Sequence, residues 1–209
     1  MGKIKQGILG GFNGKVANVI GSSWKGIGYM RSMPLSVANP RTTKQVGQRE
    51  RFKDITLLAS ELLSAGLRVL WDRFAVKMSG YNSFCKANKT AFSTAGVFAP
   101  TSLVWASGKM AATAISSAEV GSDGIVDVQF NTDLADAYQQ ATDLAYAVCI
   151  GTDGSLKGFA NGSDRSQGGL LVNPVAGATI AAGDYVYLAF VREDGTIVSD
   201  SAYNVVTTA

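Results

Sequence analysis

The stretch DYVYLAFVREDGTIVSDSAYNVV, residues 184–206, carries the pattern that decides the fold. Two runs rich in β-branched and aromatic residues flank Asp194-Gly195, and Asp-Gly between alternating runs is a strong hairpin signal. Tyr185, Tyr187 and Phe190 give the first run apolar side chains on both faces. A strand that is apolar on both faces is typical of a covered sheet. We predict that one face fills a sheet interior and that the other meets the helical part of the chain or another copy.

The same period-two pattern extends back through the second half of the chain. Further Asp-Gly pairs stand at 123–124 and 153–154. Candidate strands are 113–120, 125–130, 144–150, 156–160, 168–173, 184–191 and 196–206. About seven short strands in roughly 100 residues is the strand count of an immunoglobulin or fibronectin domain. The pattern therefore predicts an immunoglobulin/fibronectin-like β-sandwich over residues 111–209.

A helical module is predicted over residues 41–96, joined to the sandwich by a linker at 97–110. Thr42 and Gln45 have the spacing of a capping box, which marks a helix start. Gly66 is the expected stop of this helix, and residues 81–92 are a further helix. The apolar stripe of the first helix comprises Val46, Phe52, Ile55, Ala59 and Leu62. Trp71 is expected in the core with Leu70 and Phe74, and Trp105 where the linker meets the helices.

The first segment, residues 1–40, is predicted to be a glycine-rich basic arm with a β-hairpin. Residues 15–20 and 27–33 are strand-like runs around the turn GSSWKG. Gly14-Lys15 is not a phosphate-binding loop, because the motif needs glycine at position 9 and a hydroxyl at position 16, where Leu9 and Val16 stand. The glycines serve backbone geometry. With little apolar surface of its own to bury, this arm is expected to lie on the rest of the chain or on a partner subunit.

These segments define an α+β fold class, and their charges differ sharply. Residues 1–100 hold 15 Lys and Arg against 4 Asp and Glu, whereas residues 101–209 hold 4 against 12. Such a split indicates two modules with different surroundings. It also offers head-to-tail charge complementarity between copies of the chain.

Composition argues against an enzyme. Histidine is absent, which removes Ser-His-Asp and Cys-His catalysis and any His-ligated zinc site. The aspartates of the second half, such as Asp123 and Asp143, do not form a calcium loop. We expect no cofactor and no metal. Catalysis by paired carboxylates, acting on glycans, stays open as the least favoured alternative.

No apolar run approaches the roughly 18 residues that a membrane span requires, and no signal peptide is evident. We expect no membrane partner and synthesis in a reducing cytoplasm. Cys85 and Cys149 are far apart in sequence and are interpreted as small apolar residues.

The best functional candidates are basic residues of the first half. Arg41, Gln45, Arg49 and Lys53 recur every four residues, so one helix face is expected to carry them. Trp24 and Tyr29 offer stacking surfaces, and Trp24 is as well suited to partner contact as to packing. The favoured interpretation is a solvated face that pairs with acidic surface of a neighbouring subunit; nucleic-acid binding is the alternative. The candidate residues are Lys15, Trp24, Lys25, Arg31, Arg41, Lys44, Arg49, Arg51 and Lys53.

Four segments resemble a family found in Bacteroidota genomes, prophages and phages: GILGGFNGKVANVIGSSWKGIGYMRSMP, NPRTTKQVGQRERF, SGYNSF and YVYLAFVREDGTIVSDSAY. The resemblance covers essentially the whole chain. Its middle part, P-R-T with Q-x-x-Q-R-x-x-F and then S-G-Y-N-x-F, is also similar to phage structural proteins more widely. The resemblance implies a fibronectin-type C-terminal half and association with a virion or prophage, and it identifies no active site.

Together these expectations describe a structural or assembly protein of a phage virion, associated with the capsid or the tail. It would be assembled in the bacterial host cytoplasm and would dock through its basic N-terminal half. The expected partners are other virion proteins or copies of itself as a homo-oligomer. A nucleic-acid-binding protein is the alternative.

Overall fold

The computed structural model describes residues 3–4, 11–36, 38–73 and 75–209. Most of the arm before Gly11, and Phe74 of the predicted core cluster, lie outside the described residues. The chain divides into two compact units, Met1–Arg41 and Thr42–Ala209. The four-segment division made from the sequence stays a prediction.

The first unit is an antiparallel sheet in which neighbouring strands follow one another along the chain. Its strands are β1 (Lys3–Ile4), β2 (Phe12–Val16), β3 (Val19–Trp24) and β4 (Ile27–Ser32). Lys25 and Gly26 connect β3 to β4 with φ of 51° and 85°. Positive φ at both central residues defines the type I′ turn, whose twist matches that of paired strands. The predicted hairpin is therefore present.

One strand of the first unit differs from the prediction. Residues 15–20 were expected to form one strand, but the chain turns at Ala17-Asn18, where Ala17 has φ of 48°. Gly21 then lies opposite Gly14 and beneath the ring of Phe12. A Cβ at position 21 would come within 2.7 Å of that ring. Glycine here permits close packing between β2 and β3 rather than phosphate binding.

Three helices open the second unit: α1 (Thr43–Glu61), α2 (Leu67–Trp71) and α3 (Gly80–Ala87). The predicted capping box is confirmed, since Gln45 N–H donates to Thr42 Oγ1 and Thr42 N–H donates to Gln45 Oε1, each at 3.4 Å. The predicted stop at Gly66 is wrong. Helix α1 ends at Glu61, and Gly66, with φ of 100°, instead precedes α2. Helix α3 is also shorter than the predicted helix over 81–92, because Asn88 leaves helical geometry.

The second unit also contains an eight-stranded sheet in the order β11-β10-β7-β8-β9-β6-β5-β12. Its strands are β5 (Ile115–Val120), β6 (Val126–Phe130), β7 (Leu144–Ile150), β8 (Leu156–Asp164), β9 (Gly169–Pro174), β10 (Tyr185–Val191), β11 (Ala202–Val205) and β12 (Thr207–Thr208). The predicted strand over 196–206 is the exception: it forms isolated bridges at Val198 and Ser199 and then β11. The sheet is nearly closed, because β11 pairs with β10 at one edge and β12 pairs with β5 at the other.

The three Asp-Gly turns are present and share one construction. Gly124, Gly154 and Gly195 have φ of 79°, 82° and 68°. In each turn the aspartate Oδ1 accepts a hydrogen bond from the backbone N–H two residues later, at 2.8–3.1 Å. This local bond and the positive φ of glycine reverse the chain without help from the core.

Strand β10 is covered on both faces, as its sequence predicts, and β7 is covered on both faces as well. Val186, Leu188 and Phe190 belong to a cluster inside the sheet, whereas Tyr187 and Ala189 pack with the helices. Trp71 and Trp105 lie in the helical cluster, where the indole N–H of Trp71 donates to the Trp105 carbonyl at 2.9 Å. The protein is therefore α+β, with a small sheet, a few helices and a large β-sheet domain.

Candidate functional site

The two units divide the nine candidate residues between them. Residues 1–41 contain no Asp or Glu, so every ionisable side chain there is a lysine, an arginine or a tyrosine. The candidates in the first unit are Lys15, Trp24, Lys25, Arg31 and Arg41; those in the second are Lys44, Arg49, Arg51 and Lys53.

Strand register brings the basic and aromatic candidates of the first unit onto one face of its sheet. Ile20 pairs with Lys15 on one side and with Arg31 on the other. Paired residues point to the same face, and residues two apart along a strand do so as well. Tyr29 and Trp24 therefore share the face of Lys15 and Arg31. We call this surface, made by Lys15, Ile20, Trp24, Ile27, Tyr29 and Arg31, the basic-aromatic face.

The turn adds a further cation to this face. The Lys25 Nζ lies 4.8 Å from the centroid of the Trp24 ring, a cation–π arrangement. The indole itself is 66 % exposed. An ammonium held against an exposed tryptophan combines positive charge with a flat apolar surface.

Both faces of the small sheet carry exposed apolar side chains among its described residues. On the basic-aromatic face Ile27 is 68 % exposed, and on the opposite face Met30 is 71 % exposed. Val16 and Val19 on that opposite face are exposed as well. Scattered exposed apolar residues are ordinary, but a contiguous group on one small sheet marks an interaction surface.

Helix α1 does not carry its candidates on one face. Arg41 precedes the N-cap residue Thr42 and lies outside the helix, so the predicted four-residue repeat begins at Gln45. Arg49 and Lys53 are exposed, on the side away from the buried residues Ile55, Leu58 and Ala59. Arg51 is half-buried and stands one turn before Ile55, on the packed side. Phe52, predicted in the apolar stripe, is 64 % exposed.

Residues that the sequence did not single out surround Arg51. A cavity of about 280 Å³ between α1 and the end of α3 is lined by Gln48, Arg51, Phe52 and Ile55 and, across it, by Cys85, Lys89 and Thr90. In the sequence, the one-turn spacing of Cys85 and Lys89 could have indicated that they share a helix face. It did not indicate this cavity, because the sequence does not show which helices pack together.

A second cavity, of about 380 Å³, has the opposite character. Asp54, Glu61 and Asp153 line it together with apolar residues of α1. Glu61 has a structural partner, since its Oε2 accepts the backbone N–H of Leu156 at 3.1 Å. Within the part of the chain that the structure describes, no group of three or more His, Cys, Asp or Glu could hold a metal ion.

One buried ion pair lies inside the second unit. Arg165 Nε stands 3.4 Å from Asp143 Oδ2, and both side chains are fully buried. The guanidinium also donates to Thr113 Oγ1 at 2.6 Å and lies 3.8 Å from the centre of the Phe190 ring. Burial lowers the pKa of Arg165, and the charge of Asp143 opposes this. The pair is closed to solvent, so its role is to join the loops at one end of the sheet.

Two buried groups in the second unit, the Cys149 thiol and the Tyr187 phenol, are unsuited to ionisation. Burial raises the pKa of the Cys149 thiol to about 12. Burial likewise raises the pKa of Tyr187, whose hydroxyl donates to the Pro100 carbonyl at 3.0 Å. These groups serve packing.

Among the residues that the structure describes, none of the helices combines the length and the hydropathy of a transmembrane span.

Comparison with curated proteins and with solved structures yields no match. A family model described as a family of unknown function, DUF6266, matches residues 11–205. The match takes in both units, including the basic-aromatic face and the nearly closed sheet. The chain therefore belongs to the family of unknown function DUF6266.

Proposed function

We propose that this protein is a structural or assembly protein of a phage virion, associated with the capsid or the tail. In this proposal its basic N-terminal half docks on other virion proteins or on copies of itself, and the large sheet is displayed. It acts in the virion, after assembly in the host cytoplasm, as a homo-oligomer without enzymatic activity. The resemblance of its sequence segments to phage structural proteins supports this choice.

The exposure of the small sheet is the observation that carries the proposal. All six residues of β4 are exposed, and Trp24, Ile27 and Met30 each expose about two thirds of their surface. A two- to four-stranded sheet needs a covered hydrophobic face for independent stability. A surface supplied by another subunit would give it that cover.

Charge supports docking between copies. The first unit has only basic charged side chains, whereas residues 101–209 carry 12 acidic against 4 basic residues. Complementary potentials steer association and select partners. A basic sheet meeting an acidic domain of the next copy would use this asymmetry, and salt would weaken the contact.

For the displayed part we propose an immunoglobulin/fibronectin-like sandwich. Its support is a set of short antiparallel strands whose alternate residues fill one interior, with Asp-Gly turns between them. Residues of β5, β6 and β9 contribute to the same hydrophobic cluster as residues of β7 and β10, as the two layers of such a sandwich would.

Light scattering across protein concentration and NaCl concentration tests the docking proposal. We expect oligomers whose stability falls with salt. Ile27→Ser should weaken association, whereas Leu171→Ser, a similarly exposed strand residue of the large sheet, should not. A monomer under every condition, or equal effects of the two variants, would contradict docking through the small sheet.

The basic-aromatic face also favours a second candidate, a nucleic-acid-binding protein. Lys15 and Arg31 lie on the same face as Trp24 and Tyr29, which fits phosphate contact beside base stacking. A mobility-shift assay at low salt tests it, with the charge-neutralised variant Arg49→Gln/Arg51→Gln/Lys53→Gln and the variant Trp24→Ala. Affinity that falls steeply with salt and is lost in both variants would support nucleic-acid binding. No shift at low salt would exclude it.

A further inference from the structure

We propose that the cavity between α1 and the end of α3 is a binding site for an organic anion, a carboxylate or phosphate group carried on an apolar stem. This site lies wholly within the second unit. It does not depend on the docking function proposed above.

The cavity has the dimensions of a small-ligand site. Its volume of about 280 Å³ lies just below the range of about 300–1,000 Å³ in which most such sites fall. Its walls come from two elements, about two turns of α1 around Arg51 and the segment that ends α3 around Lys89. A mixed lining of apolar side chains with a few converging polar groups is typical of ligand sites.

The polar part of the lining consists entirely of groups suited to an oxyanion. Arg51 and Lys89 supply two positive charges, and Gln48 and Thr90 supply an amide and a hydroxyl that donate hydrogen bonds. Among the described residues that line this cavity there is no carboxylate. Burial raises the pKa of the Cys85 thiol, which keeps that side chain uncharged. The net charge facing the cavity is therefore positive.

Arg51 has an unmet hydrogen-bonding requirement. Its Nε is shielded from solvent and has no hydrogen-bond partner among the described residues. A charged group that is partly removed from water carries a desolvation cost unless it is paired. A carboxylate or phosphate group in the cavity would pair with the charge of this guanidinium and offset that cost.

The remaining lining explains why the ligand needs an apolar part. Ile55, which is 2 % exposed, and the exposed Phe52 supply apolar surface to the lining. Inorganic phosphate would engage the cations and leave this apolar wall uncovered. A stem of ring or chain carbons would cover it.

The walls are held in place before any ligand binds. Tyr81 Oη donates to the Thr56 carbonyl at 2.9 Å, which ties α3 to α1. Asn88 is fully buried and bonds the backbone of Val104 in both directions, at 2.6 and 2.9 Å. Lys89 and Thr90 follow it directly. Rigid positioning of both walls reduces the ordering cost of binding.

NMR of the full chain tests the proposal through the Nε–H resonance of Arg51. We expect phenyl phosphate, benzoate or both to shift this resonance saturably, and the stronger of the two identifies the anionic group. Inorganic phosphate should bind at least about tenfold more weakly, since it leaves the apolar wall uncovered. Equal binding of neutral benzyl alcohol would overturn the assignment of an anion site. So would an unmoved Arg51 resonance at about 10 mM of both anions, tenfold above a millimolar dissociation constant.

Three variants, each followed through the backbone amide resonance of Thr90 in the cavity lining, locate the site. Arg51→Gln and Lys89→Gln should each weaken the better anion by at least about tenfold, the effect of one charge-assisted hydrogen bond. Lys86→Gln removes the same charge from α3 without touching the cavity lining and should leave affinity unchanged. Lys89 is exposed, so Lys89→Gln is not expected to impair folding. This variant therefore tests the site even if Arg51→Gln does not fold. Equal loss in Lys86→Gln and Lys89→Gln would mean that long-range charge alone attracts the anion.

Discussion

Strands β4 and β10 have similar sequences and opposite surroundings. Both combine tyrosine with aliphatic residues, as IGYMRS and YVYLAFV. Yet every residue of β4 is exposed, whereas every residue of β10 after Tyr185 is buried. Strand propensity and a well-formed turn are therefore sufficient to define a β-hairpin. Whether the side chains of a hairpin stabilise the fold depends on what covers them. One face of β10 lies inside the sheet, and the other is covered by helices more than 80 residues away in the sequence.

We expect the largest loss of stability when the buried ion pair between Asp143 and Arg165 is removed. Asp143→Ala leaves the Arg165 guanidinium charged and unpaired in the interior, so we expect the free energy of unfolding to fall by about 3–5 kcal/mol. Chemical denaturation followed by tryptophan fluorescence measures it. Lys157→Gln removes the charge that pairs with the exposed Asp153 carboxylate, 3.8 Å away, and should cost less than about 1 kcal/mol. Equal losses would show that the buried Arg165 pair contributes no more to stability than this exposed pair.

The second effect compares the two strands directly. Leu188→Ala in β10 empties a fully enclosed position, and we expect a loss of about 2–5 kcal/mol in the free energy of unfolding. Ile27→Ala in β4 should change that of the monomer by no more than about 0.5 kcal/mol. Denaturant titration at low protein concentration measures both. A large loss for Ile27→Ala under these conditions would mean that β4 is covered within its own chain.

The third effect concerns the turn that makes β4 possible. Gly26→Ala places a Cβ at φ of 85°, which costs about 1–2 kcal/mol, so hydrogen exchange of the β3–β4 amides should accelerate about tenfold. Gly28→Ala is the matched control, since its added Cβ meets no atom within 4 Å and its φ is not positive. Similar acceleration in both variants would point to strand propensity rather than turn geometry.

The smallest effect lies at the exposed turn after β10. Thr196 Oγ1 and the Thr196 N–H donate to Asp194 Oδ1 at 2.6 and 2.8 Å, and these bonds hold the pKa of Asp194 below its usual value. A depressed pKa stabilises the fold above the unfolded pKa, and this contribution is lost as pH falls through the folded pKa. Thr196→Val should raise the pKa of Asp194 in an NMR titration, whereas Thr196→Ser should not. An unchanged pKa in Thr196→Val would assign the shift to other groups.

Local chemistry explains which parts of the fold could be predicted from the sequence. The capping box at Thr42 and the three Asp-Gly turns depend on neighbours within a few residues, and the sequence contains all of that information. The end of α1 is in contact with a distant segment, since Glu61 accepts the N–H of Leu156, and there the prediction was wrong. The turn at Ala17 is local but was missed, because alanine rarely adopts a positive φ. The prediction that β10 is covered succeeded because apolar residues on both faces leave few alternatives.

The candidate site divides in the same way. Trp24 and Tyr29 were expected only to offer stacking surfaces, and strand register places them on one face. Along α1 the predicted four-residue repeat holds from Gln45 to Lys53 but fails at Arg41, which precedes the helix. Arg51 was not part of that repeat and lines the cavity. Lys89 joins Arg51 only through the packing of two helices, which no spacing in the sequence encodes.

The near-closure of the large sheet has a consequence for synthesis on the ribosome. Residues 202–208 pair with β10 through their first half and with β5 through their second. Until that short segment has emerged, the nascent chain presents two open edges at once, each able to recruit a strand from another molecule. Pairing of these seven residues then covers both edges in a single step. Cleavage after Ser201 would reverse that event and turn a self-contained domain into one prone to aggregation.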